Sequence, residues 1–207
     1  MLARDRKITE LISPLTCLSG GGLLIMATDR FAHAIAVTGA LVWVYCLTSL
    51  VARAGAKIFP KRGRTILITF LAFFMASVYL WLLWLLSPLC AMQTFFVISL
   101  VPMFCAGSVT FKRLENLDLV ETVSTFVAES LIIGILILIF SLIREPFGFS
   151  SLSLPGGGQG IVLLFSFETK FILPIRIIAG SSGALLLLGY SLGLYQYLKK
   201  SQQEEKQ

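Results

Sequence analysis

The run TILITFLAFFMASVYLWLLWLL, residues 65–86, decides the class of fold. It carries no charge, no proline and no glycine, and it meets the roughly 20 apolar residues that a helix needs to cross a bilayer. Working outward, five more apolar stretches of spanning length lie at about 9–27, 31–52, 93–111, 122–143 and 171–198, with ends good to about 4 residues. Over the whole chain 57% of residues are hydrophobic and 14% charged. That balance excludes a soluble globular domain. The sequence predicts an all-α polytopic membrane protein, a single integral membrane domain over 1–207. The opening MLARDRKITE resembles the basic start of a signal peptide, and Ala32-His33-Ala34 fits a loose cleavage pattern. Glu10, Pro14 and three glycines interrupt the apolar core such a peptide needs, so the segment is read as the first span.

The stretches at 31–52, 65–86 and 122–143 are unbroken; the first and fourth are not. SPLTCLSGGG (13–22) and VPMFCAGS (101–108) both read P-x-x-C followed by glycine. Pro14 and Pro102 are separated by the same 88 residues (102 − 14) as Cys17 and Cys105 (105 − 17). A three-span unit that duplicates is inverted in its second copy. The spacing therefore predicts two inverted three-helix repeats, about 9–86 and 93–198, with helices 1 and 4 broken into half-helices.

Of the 17 basic residues, all but Arg30, Arg144, Lys170 and Arg176 fall on one side of this arrangement, the densest group being RAGAKIFPKRGR (53–64). The excess of positive charge inside predicts both termini in the cytoplasm. It also accounts for the net charge of +6 without a nucleic-acid partner. The segment REPFGFSSLSLPGGGQG (144–160) is rich in turn formers, and the following IVLLFSF is too short to span. It is read as an interfacial or re-entrant element on the outer side. Trp81 and Trp84 fall where an outer aromatic belt is expected. GGGQG lacks the lysine and helix context of a phosphate loop and is read as a turn.

Proline removes a backbone donor, and in lipid such a break survives only where it is buried in protein or faces a site. Pro14, Gly20, Pro102 and Gly107 thus support an interior location for Cys17 and Cys105. If each cysteine sits at the amino end of a half-helix, the dipole there favours a thiolate. Two facing thiolates make half of the four-thiolate set of a two-iron two-sulfur (2Fe-2S) cluster. Zinc would need two further ligands, and His33, the one histidine, lies at an outer turn with Asp29 and Arg30. Cys46 and Cys90 read as packing. For Cys17 and Cys105 the residues alone leave packing and ligation equally open.

Glu129, in the fifth span, is the candidate ionisable transport site of a secondary transporter built on the same inverted repeat. The favoured reading is that it lies near the cytoplasmic end and is solvated, beside Asp118 and Glu121. A third reading is a structural subunit that has lost its cofactor. Arg144 and Glu145 read as a neutralised pair that either docks a partner or ends the span.

The cysteine stretches and LIREPFGFSS (142–151) carry a resemblance. The chain resembles the small six-span subunits shared by the sodium-translocating NADH:quinone reductase and the Rnf electron-transport complex, the NqrDE/RnfAE family. Cys17 takes the place of the family's first cysteine, Cys105 in MFCAGSVTFKR that of the second, and Arg144, Glu145 and Gly148 match its R-E-x-x-G stretch. Phe104 stands where the family has asparagine, and SVTFKR replaces a run containing Arg, Ala and Glu. The resemblance implies that Cys17 and Cys105 supply half of the ligands of a 2Fe-2S cluster. A paralogous six-helix subunit of opposite topology would supply the rest, and other subunits would carry flavins and iron–sulfur clusters. It further implies electron transfer across the membrane coupled to Na⁺ or H⁺ movement, by a subunit that is not catalytic alone. The inside termini match the NqrD/RnfE branch of the family.

Overall fold

The computed structural model describes residues 25–55, 63–107, 119–156, 160–166, 178 and 180–204. The described residues are mostly helical: α1 Phe31–Ala54, α2 Arg64–Leu86, α3 Pro88–Gly107, α4 Leu119–Phe149 and α5 Ser181–Glu204, with strands β1 Ser151–Gly156 and β2 Gly160–Ser166 between α4 and α5. Among the described residues four helices, α1 to α4, are long and apolar enough to cross a membrane. They correspond to the second, third, fourth and fifth predicted spans. Of the first predicted span only a turn at 25–27 is described, so Pro14, Cys17 and Gly20 lie outside the described residues.

α1 is the hub. It packs against α2, α3, α4 and β1, because its small residues Ala32, Ala34, Ala36 and Ala40 are buried and let neighbouring backbones come close. On α4, Gly134 meets α1 so tightly that an added Cβ would lie 2.5 Å from Thr38 Cγ2. The Thr38 hydroxyl donates to the Gly134 carbonyl there (3.4 Å). From α2, the Tyr79 hydroxyl donates to the Ala36 carbonyl (2.8 Å). The core joins Val37, Leu41, Val44 and Tyr45 of α1 to Ile98, Val101 and Cys105 of α3 and to Phe126 and Ile137 of α4. Phe70, Phe74, Trp81, Trp84, Phe95 and Phe96 point away from it and are exposed. Apolar surface on the outside is what a hydrocarbon solvent permits.

The ends of these helices have local causes. α2 begins after Gly63, whose φ of 90° suits glycine alone among common residues. Only Ser87 separates α2 from α3: its N–H closes α2 on Leu83 O (2.8 Å), and its carbonyl accepts from Ala91 N–H (3.0 Å). Pro88 takes the first position of α3, where its missing donor costs nothing. α3 consequently starts earlier than the predicted 93.

Three expectations are corrected. First, Pro102 does not break the fourth span: α3 runs through it to Gly107. Proline deletes one backbone bond, and the buried ring is held by packing in the bundle, so the helix survives the loss. Second, the fifth span does not end at about 143, because α4 continues through Arg144, Glu145 and Pro146 to Phe149. Third, the chain is not all-α: the segment expected as an interfacial or re-entrant element is a β-hairpin. β1 and β2 pair antiparallel, Leu154 opposite Val162 and Leu152 opposite Phe165, with a register shift between Leu152 and Ser153. β1 packs on α1 and α4, and β2 on α3. The hairpin therefore shares one end of the bundle with the starts of α1 and α3 and the end of α4.

Candidate functional site

Two polar groupings lie within this apolar bundle, and they differ in kind. One is deep in the core. Cys105, in the last described turn of α3, is 0% exposed, and Glu129, on α4, is 3% exposed. Tyr45, on α1, is 1% exposed. Tyr45 and Cys105 belong to the same core cluster as Phe126, against which Tyr45 stacks tilted with ring centroids 6.2 Å apart. Three helices thus contribute a thiol, a carboxyl and a phenol to the buried interior. Burial of ionisable groups in an apolar interior disfavours their charged forms unless a partner compensates.

Burial overturns the solvated reading of Glu129, which is 3% exposed. Its predicted neighbours at the cytoplasmic end do not draw it into water, because α4 starts at Leu119 and places Glu129 nearly three turns inside the helix. The dipole expected at Cys105 is corrected too. α3 is already helical from Pro88, so this cysteine is not at its amino end and the free N–H groups of that end lie several turns away. Gly107 closes the described part of α3, three residues after Phe104. Tyr45 was not singled out by sequence reasoning. The signal available was its place on the stripe Val37, Leu41, Tyr45, a polar-tipped ring at helical spacing with two core residues.

The second grouping is at the hairpin end. Arg30, at the N-cap of α1, makes no side-chain cap bond. The donors of the first turn are met from far along the chain instead: Phe31 N–H donates to Glu145 Oε2 (2.8 Å) and Ala32 N–H to Ser153 Oγ (3.5 Å). Glu145 and Ser153 are both 0% exposed. The carboxylate also meets the positive end of the α1 dipole. Arg144 reaches elsewhere. It donates to the carbonyls of Ile178 (3.1 Å), Ile25 (3.3 Å) and Gly180 (3.0 Å), and to Thr28 Oγ1. The pair expected of Arg144 and Glu145 is thus two separate clamps, since adjacent residues on a helix point about 100° apart.

His33 is not simply at a turn. It is 8% exposed, with Nδ1 2.9 Å from Asp29 Oδ1 and Nε2 2.9 Å from Gln93 Oε1. This chain of side chains ties α1 to α3. Burial pushes the Asp29 carboxyl up, but the hydrogen bond and charge of His33, the Arg30 N–H (2.8 Å) and the charge of Arg144 outweigh it and hold the carboxyl below its ordinary value. Arg30 itself lies over the Phe149 ring, 5.1 Å from its centroid.

No three His, Cys, Asp or Glu side chains converge as a metal site among the described residues. Cys105 is one soft donor in the interior, and its predicted companion Cys17 lies outside those residues. Cys90 is buried and Cys46 half-buried, each as a free thiol.

Fold and groupings together define a helical membrane protein with a thiol and a carboxyl buried in its core. Compared with known proteins, the chain matches no family model and no curated sequence.

Proposed function

We propose that the chain is a membrane subunit of an ion-translocating redox complex of the Rnf or Nqr type, six spans in two inverted repeats. In this reading it lies in a bacterial inner membrane with both termini in the cytoplasm. The observation that carries the proposal is the position of Cys105, a fully buried thiol on the span that bears Pro102. The same P-x-x-C recurs 88 residues away at Pro14 and Cys17 (105 − 17). The donor chemistry fits a 2Fe-2S cluster: thiols are its ligands, and a buried interior excludes competing water. Cys17 and Cys105 would hold one half, and a paralogous six-span partner of opposite orientation the other. When bound, the cluster supplies a one-electron carrier within the bilayer between the flavins and clusters of other subunits.

The chain's own residues do the rest. Tyr45 and Phe126 pack in the same core as Cys105, and Glu129 adds a buried carboxyl to that interior, a group whose protonation or pairing a coupled cation would change. Na⁺ or H⁺ is the species the coupled reaction would move.

The test is iron content and the reduced-state electron paramagnetic resonance spectrum of the chain purified anaerobically with its paralogous partner. Two irons per heterodimer, with the signal lost in Cys17→Ser and in Cys105→Ser, are the expected results. An intact heterodimer without iron overturns the reading.

The burial of Glu129 favours a second reading, a secondary transporter whose substrate-coupled carboxylate is Glu129. It requires Glu129→Gln to abolish uptake in proteoliposomes while Cys17→Ser leaves it intact. A heterodimer with neither iron nor uptake points to a structural subunit.

A further inference from the structure

The β-hairpin is patterned inside out. Strand residues alternate between two faces. Ser153, fully buried and bonded by Ala32 N–H, faces the helices. Its neighbours Leu152 and Leu154 therefore face away, and so do the residues paired with them, Phe165 and Val162. On β2 the exposure does not alternate: Val162 (47%), Leu163 (56%), Leu164 (46%) and Phe165 (63%) are all exposed, Leu163 although it pairs with buried Ser153 next to the register shift, so β2 presents apolar side chains from Val162 through Phe165. In water a half-buried hairpin turns its polar residues out; here serine is in and the apolar residues are out. No charged residue occurs from Ser151 to Ser166. Edge strands that face water carry charges or prolines against mispairing, and β2 carries neither.

We propose that this outward face is a lipid-docking surface, seated at the headgroup and upper acyl level of the leaflet on the hairpin's side. Continuity with the apolar belt of the helices singles out lipid as the occupant. β1 follows directly from the end of α4, where Phe147 and Phe149 are exposed, and Gly160 of β2 lies against Leu89 at the start of α3, beside exposed Leu86. The depth follows from the backbone. A two-stranded sheet leaves N–H and C=O groups unpaired along each outer edge, and hydrocarbon cannot satisfy them. Headgroup water can, while the side chains enter the acyl boundary, as in other interfacial anchors.

The experiment places a nitroxide-bearing non-canonical residue at Phe165, at Val162, or at Phe74 as a lipid-facing standard, in the full chain in phospholipid nanodiscs. Collision rates with oxygen and with a water-soluble nickel chelate are then compared. The expected result at 162 and 165 is an oxygen-to-chelate ratio severalfold above that of an aqueous label and approaching that of 74. A chelate-dominated ratio at both positions places the hairpin in water and overturns the proposal. Low access to both reagents, or an oxygen signal lost when the chain is copurified with partner subunits, shows that protein covers the face and overturns it equally. Labelling at 162 keeps the test decisive if the 165 variant does not insert, and neither outcome depends on iron.

Discussion

The two ends of α1 carry polar residues for opposite purposes. At its start, Glu145, Ser153 and Arg144 direct their hydrogen bonds at main-chain groups more than thirty residues away in sequence, and each bond replaces one that a local cap or a solvent molecule would have made. Toward its other end, Tyr45, Cys105 and Glu129 are side chains from three helices buried in the core. The first arrangement locks elements together. The second gathers ionisable side chains in an apolar interior, where such groups are candidates for function.

That contrast can be broken most sharply at Arg144. Arg144→Ala strips several buried acceptors of their donor, each worth about 1–3 kcal/mol when left unsatisfied, so the unfolding free energy should fall by on the order of 3 kcal/mol or more. Chemical denaturation of the detergent-solubilised chain measures it. Arg144→Lys should recover only part of the loss, because a point charge cannot span the acceptors that the guanidinium fork reaches. A loss under about 1 kcal/mol would show that the hairpin end is not a lock.

Gly134→Ala is expected to cost about 1–3 kcal/mol, since its methyl group must displace Thr38 where α1 and α4 touch. Thr38→Ser in the same chain should restore stability by removing the methyl group that clashes. Failure of that rescue would place the cost in the helix backbone instead.

In the core the expectation is reversed. Cys105→Ala and Glu129→Gln should each shift stability only modestly, by about 1–2 kcal/mol, because a buried thiol acts as a small weakly polar group and the amide keeps the volume of the carboxyl. Both should change redox or transport behaviour. A large stability loss without a functional change would make the core grouping another structural clamp.

The smallest effect concerns Asp29. Its carboxyl titrates below the ordinary aspartate value of 3.8, so the folded state binds a proton there less readily than the unfolded state. The resulting stabilisation is fully present above pH 3.8 and is lost as the pH falls through the lower folded value. Asp29→Asn should flatten that acid limb of the melting temperature measured against pH. An unchanged limb would detach Asp29 and His33 from the link between α1 and α3.

Much of this molecule was legible in its amino-acid order. The four spanning helices follow from apolar runs such as 65–86, because in lipid a backbone without water can satisfy itself only as a helix. The end of α4 was legible only coarsely: the turn formers after Arg144 put it at about 143, and the helix continues through Pro146 to Phe149. Pro102 misled, because a proline says that one hydrogen bond is missing and not whether the surroundings hold the helix together. The strand character of IVLLFSF was hidden for a related reason: a short apolar run fits a strand or a helix equally, and only its pairing with Ser151–Gly156 chose between them.

What the sequence by itself determined, then, is the solvent: apolar runs of spanning length are a one-dimensional property that needs no partner element. What only the tertiary structure decided is where the polar residues go. Whether Glu129 faces water or the core, and whether Glu145 pairs with its neighbour or caps a helix 114 residues away, depends on which helices meet. A side chain's energy in an apolar medium is set by its partners, and those are fixed by packing between segments that the order of residues does not place side by side.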